Sequence, residues 1–272
     1  MRLRAIKIGA VTGVLSVLLI AAPALAALTT ISGYAYGESV NVTSGLITPI
    51  VVTSGPLPEA GPFDQNTNFS DTGSAASACA GTVTTPVCNG DILTAGVMEV
   101  ATQGTVGPTG SVSSTASVAN ANALGGLVTG TLIASQCAVD SDGQTSGSST
   151  LTNVFVNGVE VASNPGPNTQ LVLLNAGNVA IGTVTLNEQI YDPTTNTLEV
   201  NAIHINLTST TLGLTGDIII AHVECDALPA GPAPVIPESP LAILLPLSAL
   251  LVGGGILLFV LRRQPQTLQT TR

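Results

Sequence analysis

Val200-Asn201-Ala202-Ile203-His204-Ile205-Asn206-Leu207 and, one turn later, Ile218-Ile219-Ile220-Ala221-His222-Val223-Glu224-Cys225 are the stretches that decide the fold. In the first, Ile203, Ile205 and Leu207 share one face, with Ala202, His204 and Asn206 on the other. In the second, Ile219, Ala221, Val223 and Cys225 share a face, which sets Cys225 among apolar neighbours. A period of two is the mark of a strand buried on one side. With Leu212-Gly213-Leu214 as the turn, the pair predicts an antiparallel hairpin packed on a second layer.

The same reading extends outward. Gly182 to Ile190, the turn Asp192-Pro193-Thr194-Thr195-Asn196 and Leu198 to Leu207 form another hairpin. Val154-Phe155-Val156-Asn157-Gly158-Val159-Glu160-Val161 is a third, because Asn-Gly supplies the two positive φ angles of a type I′ turn. Earlier strands are expected over Ile31 to Val42, Leu46 to Val52, Ile92 to Thr102, Ser111 to Asn122 and Leu127 to Val139. No stretch between the chain ends keeps a helical period. The expectation is all-β, an antiparallel β-sandwich. A β-solenoid is the alternative suggested by the Gly, Asn and Thr content, although no fixed repeat supports it. Residues 54–78, rich in Pro, Gly, Ser, Asn and Asp, read as a long mobile loop.

The two ends are of a different kind. Arg2, Arg4 and Lys7, an apolar run from Ile8 to Ala22, and Ala24-Leu25-Ala26 make a signal peptide over 1–26, cleaved after Ala26 with Ala24 and Ala26 as the small residues. Residues 241–261 are uncharged and apolar, and 21 helical residues reach ~31 Å, about one hydrocarbon core. Arg262 and Arg263 follow at once, so this single transmembrane helix runs from outside to inside and leaves 262–272 as a cytoplasmic tail. Before the span, 227–240 holds five prolines and reads as an extended stalk. The ectodomain is then 27–226, exported and attached to a membrane.

Charge narrows the functions open to that ectodomain. All six Lys and Arg residues belong to the two ends, while the sixteen carboxylates lie outside the signal peptide and the tail. Nucleic acid is excluded as a partner, because nothing is present to neutralise phosphates. Four cysteines allow three pairings in an oxidising compartment, and Cys79–Cys88 with Cys137–Cys225 is the expected one. Zinc fits poorly without a Cys-x-x-Cys pair.

If the last hairpin is centred on Gly213, His204 and His222 face each other and Glu224 joins them, a candidate set for a divalent metal, zinc or calcium, or for a pH-sensitive patch. A one-residue slip removes that arrangement. Asp140-Ser141-Asp142-Gly143 resembles part of a calcium loop but lacks the twelfth-position Glu, so a turn is the simpler reading. Glycan processing by paired carboxylates is a distant third possibility. Sugar sites stack rings on aromatics, and the chain has no Trp, three Tyr and four Phe. An enzyme is not expected, and no resident cofactor is implied.

Ser32-Gly33-Tyr34-Ala35-Tyr36-Gly37, the stretch from Asn122 to Leu132, Val156-Asn157-Gly158, Val184-Thr185-Leu186-Asn187-Glu188-Gln189 and Val200-Asn201-Ala202-Ile203-His204 resemble the choice-of-anchor P family of bacterial surface proteins. Its members share an ectodomain and end in different anchoring signals. The resemblance covers most of the ectodomain and implies display at the cell surface without an established biochemical activity. Pro237-Glu238, the apolar span and Arg262-Arg263 resemble a PEP-CTERM sorting signal. Pro-Glu-Ser-Pro stands where Pro-Glu-Pro is usual, and the tail is longer. That resemblance implies a sorting transpeptidase of exosortase type as a partner; cleavage there and retention of the helix both stay open. The expected function is display, adhesion or a contribution to an extracellular matrix, with a ligand- or divalent-cation-binding module as the alternative.

Overall fold

The computed structural model describes residues 27–82 and 91–229. The signal peptide with Ala24 and Ala26, Cys88, most of the stalk with Pro237 and Glu238, the span 241–261, and the tail with Arg262 and Arg263 lie outside the described residues. Among the described residues, no helix is long and apolar enough to cross a membrane.

Among those residues, fifteen strands follow in chain order: β1 (Leu28–Ser44), β2 (Ile50–Gln65), β3 (Phe69–Ala75), β4 (Ala78–Ala80), β5 (Leu93–Ala95), β6 (Met98–Thr105), β7 (Ser111–Ala123), β8 (Val128–Val139), β9 (Thr145–Thr152), β10 (Phe155–Val156), β11 (Val159–Glu160), β12 (Thr169–Leu174), β13 (Ala180–Asp192), β14 (Thr197–Ser209) and β15 (Leu214–Pro229). The first sheet runs β12-β13-β14-β15-β1-β2 and the second is built on β3-β6-β7-β8-β9, every pairing antiparallel. The sheets face one another over a shared apolar core containing Ile31, Val40, Ile203, Ile205, Ile218 and Val223 from the first and Met98, Val118, Ile133 and Leu151 from the second. Two facing antiparallel sheets make a sandwich, and the solenoid alternative falls with the antiparallel pairing.

Cys137 of β8 and Cys225 of β15 form a disulfide across the core, with 6.0 Å between Cα atoms. Both are buried. It encloses 88 residues and stabilises by about 4–5 kcal/mol on the chain-entropy account. Cys79 is also disulfide-bonded. Ser135 Oγ donates to the Ala221 carbonyl at 2.8 Å and Ser114 Oγ to the Glu224 carbonyl at 3.0 Å, so hydroxyls of the second sheet also reach backbone of the first.

Residues 54–78 are not a mobile loop, which corrects the expectation. They hold most of β2, all of β3 and the start of β4. β2 is the edge of its sheet, where a missing N–H leaves no inner rung unmade, so its prolines are tolerated. Register shifts opposite Gly33/Ala35 and Glu38/Val40 absorb the irregular backbone, and the Gly55-Pro56, Leu57-Pro58 and Gly61-Pro62 peptides are cis. The boundary at 226 also moves: β15 continues through Ala227, fully buried, to Pro229, which pairs with Leu28.

The alternation of the deciding stretches breaks at one place. The registers put Asn187, Ala202, Ala221, Gly37 and Pro58 in one transverse row across β13, β14, β15, β1 and β2. Asn187 and Ala221 have φ of 48° and 55°, and a Cβ on Gly37 would lie 2.9 Å from the Leu57 carbonyl oxygen. The pairing register is unchanged across the row, but in β13, β14, β15 and β1 the alternation of inward and outward residues slips by one position there. Ile218 and Ile220 therefore face inward on one side of the row, and Val223 and Cys225 on the other, while Ile219 is only half-buried.

Candidate functional site

Beyond that row, the outer face of the first sheet is built from three ranks of side chains. The registers align Glu59, Tyr36, His222, Asn201 and Glu188 in one rank. Tyr34, Glu224 and Glu199 stand in the next, and Asp64, Ser32, Asp226, Thr197 and Asp192 in the third. Every second residue of a strand faces the same way, so polar residues at these alternate positions collect on one surface. With Asp217 on the near side of the row, this face carries eight of the sixteen carboxylates.

His204 and His222 share this face but do not oppose each other, which corrects the expected hairpin. The turn is a 3₁₀ segment at Thr210–Leu212 closed by Gly213, so His204 pairs with Ile219 and His222 with Asn201. His204 lies between two carboxylates, Nδ1 at 2.8 Å from Glu188 Oε2 and Nε2 at 3.0 Å from Asp217 Oδ1. Neither carboxylate can donate when ionised, so both ring nitrogens donate and the ring is an imidazolium. The hydrogen bond to Glu188, with that to Asp217, pushes its pKa up to about 9 against the cost of burial. Glu188 is lowered in turn, its hydrogen bonds to His204 and Asn201 outweighing burial.

His222 has the opposite fate. Asn201 Nδ2 donates to Glu188 Oε2 at 2.8 Å and to Glu199 Oε1 at 2.9 Å, which leaves Asn201 Oδ1 to accept from His222 Nδ1 at 2.7 Å. The ring stacks on Tyr36 with centroids 4.2 Å apart, and Tyr34 stands edge-on at 5.9 Å. Burial pushes its pKa down to about 4, so it is neutral at ordinary pH. Tyr34 donates to Glu59 Oε1 at 3.2 Å and is itself pushed up to about 12, by burial first and then by Glu59.

One continuous chain of hydrogen bonds thus joins His222, Asn201, Glu188, His204, Asp217 and Asn206. Chemically it stores one proton and fixes one positive charge among carboxylates. It is not a metal centre: His204, His222 and Glu224 do not converge, and among the described residues no group of three His, Cys, Asp or Glu side chains is placed to hold a metal ion. Glu224 and Asp226 are instead raised, by burial first and then by neighbouring carboxylates. Asp140 closes a turn: its Oδ1 accepts from the N–H groups of Asp142 and Gln144, each at 2.9 Å. Glu188, Asn201, Asp217 and Tyr36 escaped the sequence reading, because the slip at the transverse row changes which residues share a face and leaves no mark in hydropathy.

The outer face of the second sheet is different in kind. Its registers align Ser70, Gln103, Ser113, Ala138 and Ser146; then Thr72, Ala101, Thr115, Gln136 and Ser148; then Ser74, Glu99, Ser117, Ala134 and Thr150. Short side chains leave a shallow trough of about 550 Å³. Its rim is hydroxyl and amide, with Glu99 as the one charge in these ranks. Comparing the chain with protein-family models, with curated proteins and with solved structures brings up no match in any of the three.

Proposed function

We propose that this chain is an exported surface protein, attached to a membrane through residues 241–261, whose β-domain works by contact rather than catalysis. Its role is display, adhesion or participation in an extracellular matrix. One observation carries the reading: β1 and β15 pair along their whole length, with Leu28 opposite Pro229, so the chain enters and leaves the sandwich at the same end. A domain attached at that end presents its two broad faces and its far end outward. The Cys137–Cys225 bond supports passage through an oxidising compartment. The histidines and their carboxylates satisfy one another, which suits a structural role for that face. The trough of the second sheet, hydroxyl- and amide-lined with Glu99 as its one carboxylate, is the contact surface we favour, since hydroxyls and amides pair with uncharged polymers without needing a counter-charge. Membership of the choice-of-anchor P family, and handling of Pro237-Glu238 by an exosortase-type enzyme, belong to the same proposal.

The absence of Lys and Arg between Lys7 and Arg262 supplies a test. On intact cells, proteinase K should remove the domain while trypsin leaves it whole. Protection from both enzymes, with degradation only after lysis, would refute surface display. Mass measurement of the native protein then decides whether residues beyond Pro237 are retained.

A further inference from the structure

At the end of the sandwich away from Leu28 and Pro229, two hairpin tips meet. The β1–β2 turn begins at Gly45 and the β14–β15 turn ends at Gly213, and the Gly45 N–H donates to the Gly213 carbonyl at 2.9 Å. Both glycines have positive φ, 111° and 61°, and a Cβ on Gly213 would sit 2.6 Å from the Gly45 carbonyl carbon. The two turns are therefore fixed against each other by a contact that only glycine permits. From this joint project Leu46, Ile47, Ile50, Val51 and Leu212, which are 64%, 93%, 47%, 62% and 44% exposed. No charged residue occurs from Ser39 to Pro58 or from Ile205 to Gly216.

Five exposed aliphatic side chains in one place, on a domain whose core is filled without them, mark an interaction surface. Its size and form select the partner. A stable dimer needs ~800 Å² from each copy, and the tip offers on the order of a few hundred. It consists of two hairpin turns with Ile47 93% exposed, so a protein partner would need a matching apolar socket. A bilayer needs none, because acyl chains part around the inserted group. Charge agrees: the tip is neutral and the body acidic, so a basic partner would be drawn to the outer face of the first sheet, and anionic lipid would be repelled.

We propose that the joined tips are a membrane-docking element, in which Leu46, Ile47, Ile50, Val51 and Leu212 enter the acyl boundary of an uncharged or zwitterionic bilayer facing the free end of the domain. This goes beyond the display reading and does not depend on which surface the domain decorates.

The chain has no tryptophan, so Ile47→Trp gives a single fluorescent reporter at the tip. The full-length variant is placed in lipid nanodiscs and offered phosphatidylcholine vesicles carrying brominated acyl chains. The expected result is a blue shift and loss of most of the indole emission from the tip. Thr67→Trp, exposed at the opposite end of the sandwich, keeps its emission. Adding Leu46→Ser and Leu212→Ser to the Ile47→Trp chain should abolish the quenching, and raising the salt should not weaken it. Unchanged emission from the tip reporter overturns the proposal, as does equal quenching at position 67. A blue shift that grows with protein concentration without vesicles overturns it in favour of a second copy. Quenching only when the brominated lipid is in the nanodisc overturns the facing bilayer. Chain that fails to enter nanodiscs counts against the C-terminal attachment alone, since its tip reporter still responds to added vesicles.

Discussion

His204 keeps its proton because two carboxylates hold it, and His222 sheds its proton because burial outweighs its neighbours. A folded pKa of about 9 lies above the unfolded value near 6.5. The stability due to His204 is therefore complete below about pH 6.5 and is lost as pH rises through 9. For His222, at about 4, the contribution is present above 6.5 and is lost as pH falls through 4. The alkaline side is the cleaner test, because Glu38, Glu224 and Asp226, all raised, titrate on the acid side with the opposite sign. Urea unfolding should show wild-type stability declining between pH 7 and 10. His204→Gln should lose about 2 kcal/mol at pH 6.5 and show little decline above it. Asn157 gives a second prediction. Its φ is 53°, its Nδ2 donates to the Val172 carbonyl at 2.8 Å, and its Oδ1 accepts from Leu174 N–H at 2.9 Å, closing the edge of β12. Asn157→Gly keeps the conformation and loses the two bonds, roughly 1–3 kcal/mol, while Asn157→Ala should lose about 1 kcal/mol more through its unfavourable φ. Equal unfolding midpoints for the two variants would refute that division.

At the scale of the element, the transverse row is the feature to perturb. Ala221→Gly relieves a left-handed residue and removes one buried methyl, effects of about 1 kcal/mol each and opposite sign, so it should be nearly neutral. Gly37→Ala meets Leu57, Pro58 and Met98 at 2.9–3.0 Å and should lower the melting temperature clearly. If both changes proved equally harmless, the row would not be fixing the slip. This row also explains what the sequence could and could not disclose. The Val154–Val161 hairpin was legible because Asn157 and Gly158 are both at positive φ. The strands around Val200 and Val223 were legible from their length and alternation. The inward residues were misassigned as Ile219 and Ala221 rather than Ile218 and Ile220, since a period of two carried from Cys225 passes through Ala221 without registering the slip. The strands of 54–78 were hidden because proline and glycine content, a sound sign of loops, also describes an edge strand with bulges. From the site reading, the Cys137–Cys225 pairing and the placing of His204, His222 and Glu224 on one face survived, while their convergence did not. Their partners depend on long-range register, which no local pattern encodes.

The molecule as a whole segregates its charge, with carboxylates ranked on one outer face and a trough holding the single carboxylate of Glu99 on the other. With His204 as the one cation held in that face, self-repulsion should be screened by salt, so raising NaCl from low ionic strength to about 1 M should raise the melting temperature by a few degrees. A fall would mean that the His204 ion pairs dominate. Reduction of Cys137–Cys225, or Cys137→Ser with Cys225→Ser, should remove about 4–5 kcal/mol, measured by urea unfolding. The antiparallel embrace of β1 and β15 also decides how the body answers a pull. Tension between the tip at Leu46 and the exit at Pro229 runs lengthwise along both strands, so their rungs are loaded side by side and must yield together. Cys225, close to the exit, passes that load covalently into the second sheet. Dragging Leu28 away from Pro229 would instead open the rungs singly, from one end. The same bonds are strong in the direction a tether and a docked tip would strain them, and weak in the other.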